Sequence, residues 1–352
     1  MLHSFYVITM PGLETLAFNE IRAKMPDAEL VKFARGTTLF RTTGAPGDLL
    51  QLRTVEDAFV TLKHIKGLGR GRDAVRVFHS ATLNVDINAA LSLWRRAHNG
   101  VQARTWRVVS QMVGTHDFRR VDAGQAVSDA LRRILPRGMR LVDDDADSEF
   151  WVWIDGNEAL IGLRLSDATM RHRTYKKEHV PASLRPSVAA SMGLLARPTP
   201  DDVVLDPLCG AGTIVIERAL LAPLDRAIGG DIREEAVAMA QRNARIAHIK
   251  ATWQEWDARS LPLDEGSVTR IITNLPFGKQ IGTREENASL YTALAKEFKR
   301  VLTKDGLLVT LTSEDRLWEM ALRDTGWRLA KKVVLVVLGQ PAGIFVAERA
   351  KK

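Results

Sequence analysis

The chain has 352 residues, of which 45% are hydrophobic and 26% charged, a composition typical of a soluble globular protein with two or three domains. No apolar stretch approaches the roughly 20 residues of a membrane helix, and the first residues lack the features of a signal peptide. We therefore expect a cytoplasmic protein. The single cysteine, Cys209, excludes an intrachain disulfide and a zinc site of paired cysteines, so we expect no structural metal.

The net charge of +8 lies mainly in the middle of the chain. Residues 51–200 carry 23 basic and 16 acidic side chains, whereas residues 1–50 carry five of each and residues 201–352 carry 22 and 21. A basic excess in one segment favours a module that binds a polyanion such as nucleic acid, although a solvated basic surface would give the same count.

The first half of the chain predicts two small α+β units. In the first, a strand at residues 4–10 is followed by an amphipathic helix beginning near Pro11 and by short strands around LVKFARG and TTLFRTT. In the second, between residues 66 and 166, helices and strands are predicted at INAALSLWRRAHNG, TWRVVSQMV, AGQAVSDALRRIL, EFWVWIDGN and EALIGLRLS. The acidic stretch at 143–147 is typical of a solvated loop.

From about residue 200 the pattern changes to strand, tight turn and helix, repeated several times. This pattern predicts an α/β fold with a doubly wound parallel sheet. The last two strands, RLAKKVVLVVLGQ and PAGIFVAER, predict an antiparallel hairpin at the sheet edge, joined around Pro341 and Gly343.

The stretch VLDPLCGAGTI ends a strand at Asp206 and turns through Gly210 and Gly212 into a helix. Glycines there let backbone amides approach a ligand closely. A nicotinamide-dependent dehydrogenase would need a small residue where this chain has Val215. The carboxylate of Asp206 would repel a pyrophosphate and attract an ammonium or sulfonium, which favours S-adenosylmethionine as the cofactor.

Two further carboxylates follow at successive strand ends. Asp231 lies 25 residues after Asp206, where a carboxylate can accept both ribose hydroxyls, and Asp257 is placed to meet the adenine edge. Each Asp alone is more commonly a helix cap or turn residue. Three at the carboxyl ends of neighbouring strands indicate a ligand site, because open α/β sheets bind ligands there.

The fourth strand ends in the cluster IITNLPFG, beside the expected position of the cofactor methyl group. The side-chain oxygen of Asn274 and the carbonyl of Leu275 can accept both N–H groups of an exocyclic nucleobase amine. Pro276 would stiffen the loop and Phe277 would stack on the base. Because an amide cannot serve as a general base, the proton should leave after methyl transfer. Standing alone, the cluster would read as a turn.

The motifs DPLCGAGTI and NLPFG resemble those of the THUMP-domain class I RNA methyltransferases, nearest the tRNA guanine-N2 methyltransferases. The resemblance covers nearly the whole chain, including PGLETLAFNEI, residues 105–135 and 153–166, and the linker from residue 171. It implies a ferredoxin-like domain at 1–65, a THUMP RNA-binding domain at 66–166, a linker at 167–188 and a Rossmann-like, S-adenosylmethionine-dependent methyltransferase domain at 189–352. Leu275 departs from the proline that is commoner in the family.

The resemblance also implies a function and a set of site residues. The function is methylation of guanine N2 in the tRNA acceptor stem, at position six, with the acceptor end bound by the THUMP domain. The expected cofactor pocket consists of Asp206, Cys209, Gly210, Ala211, Gly212, Asp231, Ile232, Asp257, Ala258 and Asn274. The expected catalytic loop is Asn274, Leu275, Pro276 and Phe277, with Asn274 and Phe277 facing the base.

Candidate RNA contacts combine cations with an aromatic ring. In the THUMP region they are Arg107, His116, Phe118, Arg119 and Arg120, and in the linker Arg171, Arg173, Lys176 and Lys177. Phe118 is equally typical of a core residue, His116 of a surface histidine, and the linker cations of a solvated face.

Three alternatives remain open at this stage. A ribosomal-RNA guanine-N2 methyltransferase or a DNA adenine-N6 methyltransferase would also use a loop that binds a planar exocyclic amine. A non-catalytic tRNA-binding protein with a vestigial cofactor fold is the third alternative, against which the intact motif residues argue.

Overall fold

A computed structural model of the protein describes residues 2–178, 183–276, 284–337 and 340–350, with only the backbone of residues 284–286. The chain forms two compact units. The first consists of Met1–Ile8 and Phe18–Met170, and the second of Thr9–Ala17 and Arg171–Lys352. The short segment Thr9–Ala17 therefore belongs to the second unit although it lies near the start of the chain.

The first unit contains one eight-stranded sheet with the strand order β2-β3-β1-β4-β8-β7-β5-β6. Most neighbouring strands are antiparallel, and β5 runs parallel to both β6 and β7. The strands are β1 (His3–Ile8), β2 (Glu29–Ala34), β3 (Thr37–Thr42), β4 (Asp57–Lys66), β5 (Thr105–Val113), β6 (Arg140–Leu141), β7 (Ser148–Asp155) and β8 (Glu158–Arg164).

The first four α-helices of the chain lie between the strands of this sheet in the sequence. They are α1 (Glu14–Lys24), α2 (Ala74–Leu83), α3 (Ile87–Ala97) and α4 (Arg120–Ile134), with a 3₁₀ helix at Pro46–Gln51. The sequence predictions missed strand β4. In the structure it pairs with β8. The expected domain boundary at residues 65 and 66 falls at the end of β4, so strands from both sides of that boundary share one sheet.

The second unit contains a seven-stranded sheet with the order β11-β10-β9-β12-β13-β15-β14. Strands β9 to β13 are parallel, and β15 is antiparallel to both β13 and β14. The strands are β9 (Val203–Asp206), β10 (Arg226–Asp231), β11 (Thr252–Glu255), β12 (Val268–Asn274), β13 (Leu302–Thr312), β14 (Trp327–Val337) and β15 (Gln340–Arg349). The predicted doubly wound sheet with an antiparallel hairpin is confirmed.

Helices alternate with the parallel strands, as the sequence pattern predicts. They are α6 (Pro186–Leu195), α7 (Thr213–Leu221), α8 (Glu234–Ile246), α9 (Arg284–Val301) and α10 (Asp315–Asp324), preceded by the short α5 (Ala168–His172). The predicted linker at 167–188 contains α5 and the first turn of α6. Among the described residues, none of the helices combines the length and the apolar character needed to cross a bilayer.

The predicted position of the hairpin turn is wrong. Pro341 and Gly343 lie within β15, where they pair with Val336 and Val334. Residues 338–339, which separate the two strands in the sequence, lie outside the described residues. The misplacement arises because Pro and Gly signal turns, whereas a strand also tolerates them where a neighbouring ring or an irregular edge takes up the space.

Both faces of the second sheet are covered by apolar clusters. Ile271 packs in one cluster with Tyr291 and Phe298 of α9, and its neighbour Ile272 packs in the other. Successive residues of a strand point to opposite faces, so this alternation places helices on both sides of the sheet. Leu13, from the segment near the start of the chain, belongs to the second cluster and is fully buried.

Candidate active site

The parallel strands of the second sheet end together at one edge. The chain leaves β9 toward β10 and β11, and then returns to β12 on the other side of β9. Asp206 ends β9 and pairs in register with Gly229 of β10. Strand β10 ends two residues later, at Asp231. Asn274 ends β12, which pairs with β9 through Ile271 and Leu205. A crevice at such a reversal of strand order is where open α/β sheets bind ligands.

The glycine turn after β9 has the conformation that the sequence predicts. Gly210 has φ of 51° and Gly212 has φ of 78°, a region that other residues rarely adopt. A Cβ on Gly212 would lie 2.8 Å from the ring of Trp253 and 2.9 Å from Ala240. The amide of Cys209 donates to the carbonyl of Gly230 at 2.8 Å, which fixes the turn against β10.

Two of the turn residues have buried side chains. Cys209 is 6% exposed and Ala211 is 2% exposed. Burial raises the pKa of the Cys209 thiol, and the neighbouring carboxylates raise it further. The cysteine is therefore a small packing residue of the turn rather than a nucleophile.

Asp206 is the most deeply buried carboxyl group of the site, with 1% of its surface exposed. The amide of Leu208 donates to its Oδ1 at 3.2 Å. Burial raises its pKa to about 7, and the negative charge of Asp231 adds to this effect. A cationic group placed beside Asp206 would offset the cost of its ionisation, so the site suits an ammonium better than an anion.

Asp231 connects β10 with the glycine turn. Its Oδ2 accepts a hydrogen bond from the amide of Gly210 at 3.0 Å, and its Oδ1 accepts one from the amide of Arg233 at 3.1 Å. The next residue, Ile232, is 60% exposed although it is apolar. The carboxylate of Asp231 can bind hydroxyl groups, and the exposed side chain of Ile232 beside it can cover a flat apolar ring.

Asp257 lies beyond the end of β11 and is more exposed than the other two carboxylates. Arg259 forms an ion pair with it at 2.6 Å and lowers its pKa. The adjacent Ala258 is 4% exposed and packs with Trp256. Trp256 donates from Nε1 to the carbonyl of Pro207 at 3.1 Å, and thereby links the loop after β11 to the loop after β9.

Hydrogen bonds hold the backbone of Leu275 and Pro276 after β12, whereas the side chain of Asn274 at the end of the strand keeps an unpaired oxygen. Among the described residues, no donor reaches the buried Oδ1 of Asn274. Leu275 is fully buried and its amide donates to the carbonyl of Leu311 at 2.9 Å. The carbonyl of Pro276 accepts a hydrogen bond from the hydroxyl of Tyr291 at 2.7 Å. The predicted stacking residue, Phe277, lies outside the described residues.

Two residues that the sequence predictions omitted support these loops. Tyr291 of α9 contacts Pro276, and it also shares a hydrogen bond with Thr312 at 2.9 Å. Asn243 of α8 is fully buried and donates from Nδ2 to the carbonyl of Ala211 at 3.1 Å. Asn243 lies on the apolar stripe of α8 together with Ala236 and Ala240, so a polar residue in a buried helical position was the available signal.

The same Asn243 binds the segment that enters the second unit. Its Nδ2 donates to the carbonyl of Glu178 at 3.1 Å, and its Oδ1 accepts from the amide of Glu178 at 3.3 Å. Glu178 also forms two hydrogen bonds with Arg242, at 2.5 and 2.6 Å. Tyr175 and Arg173 both contact the buried Glu217 of α7, at 2.8 and 3.2 Å. The linker is therefore attached to both helices that flank the glycine turn.

Several predicted RNA contacts have other roles in the structure. Phe118 is 4% exposed and packs against Phe78 and His116, so the ring is a core residue and cannot stack on a base. Arg107 is ion-paired with Glu149 at 2.5 Å and also with Asp144. These contacts occupy the guanidinium of Arg107 within the first unit.

The remaining cations of the THUMP region lie near the start of α4. Arg119 is exposed and pairs with Asp122 at 2.8 Å, and Arg120 donates to the carbonyl of Ser110 at 3.0 Å. His116 is partly buried, and neither of its ring nitrogens has a hydrogen-bond partner among the described residues. Arg119 and Arg120 keep enough exposed surface to meet a phosphate.

The linker cations divide into buried and exposed groups. Arg173 has only 8% of its side chain exposed because of its ion pair with Glu217. Lys176 donates to the carbonyl of Leu184, and burial lowers its pKa to about 8. Arg171 is partly buried, and Lys177 is exposed. Arg173 and Lys176 are therefore held by contacts within the second unit, and Lys177 is the exposed residue among these four cations.

Within the described part of the chain, no group of three or more His, Cys, Asp or Glu side chains is arranged to hold a metal ion.

Comparison with known proteins agrees with this geometry. Residues 173–339 match the UPF0020 family, described as an RMKL-like methyltransferase domain. The structure resembles the crystal structure of TrmN from Thermus thermophilus with a TM-score of 0.82 and 26% identity, over 99% of this chain and 100% of that one. A tRNA (guanine(6)-N2)-methyltransferase from the same organism is 28% identical over 97% of this chain and 98% of its own length.

A human relative, tRNA (guanine(6)-N(2))-methyltransferase THUMP3, is 34% identical over 58% of this chain and 43% of its own length. The mouse and cow proteins of that name are covered to 52% and 43%. The chain thus spans about half the length of these mammalian relatives.

The seven-stranded sheet, the glycine turn and the residues that match the family model all lie in the second unit. The second unit has the class I methyltransferase fold, and residues 173–339 match the model of the RMKL-like methyltransferase domain family.

Proposed function

We propose that the protein transfers a methyl group from S-adenosylmethionine to the exocyclic N2 amine of a guanosine in tRNA. The observation that carries this proposal is the position of Asn274. It ends β12 next to the strand that ends in Asp206, and its buried Oδ1 has no donor among the described residues. An unpaired acceptor beside a cofactor crevice is suited to bind an amine.

The cofactor assignment rests on the residues around the glycine turn. Asp206 would bind the ammonium group, and Asp231 would accept the ribose hydroxyls. Ile232 and Ala258 would lie against the adenine, with Asp257 at its edge. The backbone of Cys209, Gly210, Ala211 and Gly212 would lie against the cofactor. Gly212 is needed in this turn because a Cβ there would clash with Trp253 and Ala240. When bound, S-adenosylmethionine supplies an electrophilic methyl group.

The catalytic contribution of the chain is positioning and electrostatics. Asn274 Oδ1 and the carbonyl of Leu275 would accept the two N–H groups of the amine and direct its lone pair toward the methyl group. An amide and a backbone carbonyl cannot remove a proton at neutral pH. The amine is therefore methylated before it loses its proton, and Pro276 holds the geometry through its bond to Tyr291.

The tRNA assignment draws on the names of the relatives, which specify guanine 6 and the N2 position. We assign the ferredoxin-like and THUMP roles to residues 1–65 and 66–166, followed by the linker and by the methyltransferase domain from residue 189. Arg119, Arg120 and Lys177 are the exposed cations that we assign to the acceptor stem. A guanine inside that stem has to flip out of the helix, at a cost of a few kcal/mol. A tRNA substrate agrees with a cytoplasmic location.

The test is incubation with unmodified tRNA transcripts and isotopically labelled cofactor, followed by nucleoside mass spectrometry. The expected product is N2-methylguanosine at position six. Methylated adenosine, or a product formed only with ribosomal RNA or DNA, would overturn the substrate assignment. No binding of S-adenosylmethionine at millimolar concentration would instead indicate a protein without catalytic activity.

The variant Asn274→Ala separates a catalytic loop from a structural one. We expect it to abolish turnover while leaving affinity for tRNA within about twofold, because phosphate contacts supply most RNA affinity. Ser267→Ala, just before the same strand, is the control and should retain turnover, because the Ser267 hydroxyl bonds to the carbonyl of Asp264 in an exposed turn. Equal loss of turnover and tRNA affinity in Asn274→Ala would mean that the loop only maintains the fold.

A further inference from the structure

Helix α9 presents a second polar residue beside the catalytic loop. The buried stripe of α9 consists of Asn287, Tyr291, Leu294, Ala295, Phe298 and Val301. Asn287 precedes Tyr291 by four residues, so the two side chains lie one above the other on the same helix face. Since Tyr291 contacts the carbonyl of Pro276, this face of α9 is directed toward the segment that leaves β12.

Asn287 is only 6% exposed, and its Oδ1 has no hydrogen-bond donor among the described residues. A buried carbonyl oxygen without a donor costs about 1–3 kcal/mol, and such groups are rare in folded proteins. An apolar residue at this position of the stripe would avoid the cost. The neighbouring Tyr291, in contrast, satisfies its hydroxyl with both Pro276 and Thr312. The unpaired oxygen of Asn287 is therefore free to accept a hydrogen bond from a bound base.

Asn274, at the end of β12, has the same property. Both asparagines keep a buried amide oxygen unpaired, one on the strand that enters the segment after Pro276 and the other on the helix that follows it. A single base that satisfied both oxygens would present two N–H groups, and an exocyclic amine with a ring N–H beside it is one such arrangement. Among the bases with an exocyclic amine, only guanine carries a ring N–H beside it, because the ring nitrogen next to the amine of adenine or cytosine is an acceptor.

We propose that Asn287 accepts the N1–H of the target guanine while Asn274 accepts an N–H of its N2 amine, so that Asn287 selects guanine over adenine. This inference rests on the proposed function and extends it, since Asn274 alone would bind any exocyclic amine. In a base with an acceptor at N1, the lone pair of N1 would face the lone pair of Asn287 Oδ1. The two atoms would repel each other, and Asn287 would stay without a donor. A base that lacks this N–H should be rejected strongly, because its binding would leave the buried oxygen of Asn287 without a hydrogen bond.

The experiment compares two tRNAs that differ at the methylated position, one with guanosine and one with 2-aminopurine ribonucleoside. The second base keeps the exocyclic amine but has an acceptor at N1. Single-turnover methyl transfer is measured by mass spectrometry for wild type, Asn287→Ala and Ser289→Ala. Ser289 is exposed on the same helix and serves as the matched control.

We expect wild type and Ser289→Ala to methylate guanosine at least tenfold faster than 2-aminopurine. Asn287→Ala should lose at least tenfold with guanosine and less than threefold with 2-aminopurine, so that the preference disappears. 2-Aminopurine pairs less strongly in a helix, and its easier flipping acts against the expected difference.

Equal losses of Asn287→Ala on both substrates would overturn the proposal, since a residue that only supports the loop affects both bases alike. Undiminished activity on guanosine would also overturn it. Affinity for S-adenosylhomocysteine, measured by calorimetry, should be the same in all three proteins and reports on folding. If wild type methylates no guanosine in tRNA, the proposed function fails, and that outcome is distinct from a failure of the role of Asn287.

Discussion

Asn243 Nδ2 lies 3.1 Å from the carbonyl oxygen of Ala211, so helix α8 holds the glycine turn through a second side chain besides Asp231. The same side chain also binds both backbone groups of Glu178. One buried amide thus connects the linker with the turn that is expected to bind the cofactor.

Asn243→Ala should therefore weaken cofactor binding as well as folding. The substitution leaves the carbonyl of Ala211 without this donor, and an unpaired buried group costs about 1–3 kcal/mol. We expect a lower midpoint of thermal unfolding and an affinity for S-adenosylhomocysteine reduced about tenfold. Arg242→Ala is the control, because Arg242 contacts Glu178 from the surface and has no bond to Ala211. Similar affinities in the two variants would contradict a positioning role of Asn243.

Asp206 should make cofactor affinity depend on pH. Its pKa is raised to about 7, so at pH 6 about a tenth of the carboxyl groups are ionised and at pH 7 about half. If the carboxylate binds the ammonium of the cofactor, affinity for S-adenosylhomocysteine should rise about fivefold over this interval. Calorimetry at several pH values measures this, and Asp206→Asn should give a weaker and flatter profile. An identical slope in the variant would assign the pH dependence to another group.

The ligand-free protein should respond to pH in the opposite direction. The pKa of Asp206 is higher in the folded state than its ordinary value of 3.8, so the folded state holds its proton more strongly. The resulting stabilisation is fully present below the unfolded pKa and is lost as the pH rises toward 7. Denaturant unfolding between pH 4 and pH 7 should detect a smaller decline in Asp206→Asn than in wild type.

The second sheet was predictable from the sequence because each of its parallel strands ends in a recognisable turn. The alternation of strand and helix determined the topology, and Asp206, Asp231 and Asn274 could be placed at one edge before any contact was known. Support residues were harder to identify. Asn243 and Asn287 lie inside helices, where a single polar residue on an apolar stripe reveals burial but not the partner.

Long-range pairing also limited the prediction of the first unit. Strand β4 pairs with β8, about one hundred residues later in the sequence. The two domains predicted at 1–65 and 66–166 therefore contribute strands to the same sheet. Leu13 packs in the core of the second unit, which local periodicity cannot indicate. Removal of residues 1–166 would therefore expose part of that core, and such a truncation does not test RNA binding alone.

Tyr291→Phe should reduce catalysis more than cofactor binding. The substitution keeps the ring but removes the hydrogen bond to Pro276 and the bond shared with Thr312. We expect a lower kcat, an unchanged Kd for S-adenosylhomocysteine and a stability loss of about 1 kcal/mol. Thr312→Val removes the shared bond, and the bond from the amide of Glu314, while leaving Pro276 bound to Tyr291. If both variants lose the same fraction of kcat, the contact with Pro276 has no role of its own.

Gly230→Ala should disrupt the cofactor site through packing. A Cβ at this position would lie 2.1 Å from the indole of Trp256, whose Nε1 donates to Pro207 beside Asp206. Because the ring must shift, we expect a loss of about 1–3 kcal/mol in the free energy of unfolding, together with a weaker affinity for S-adenosylhomocysteine. Gly69→Ala is the control, since a Cβ there meets no atom within 4 Å. Urea unfolding and calorimetry on the two variants measure both effects. A Gly230→Ala protein with the stability and affinity of Gly69→Ala would show that the indole is free to move, and that its bond to Pro207 does not fix the loop after β9.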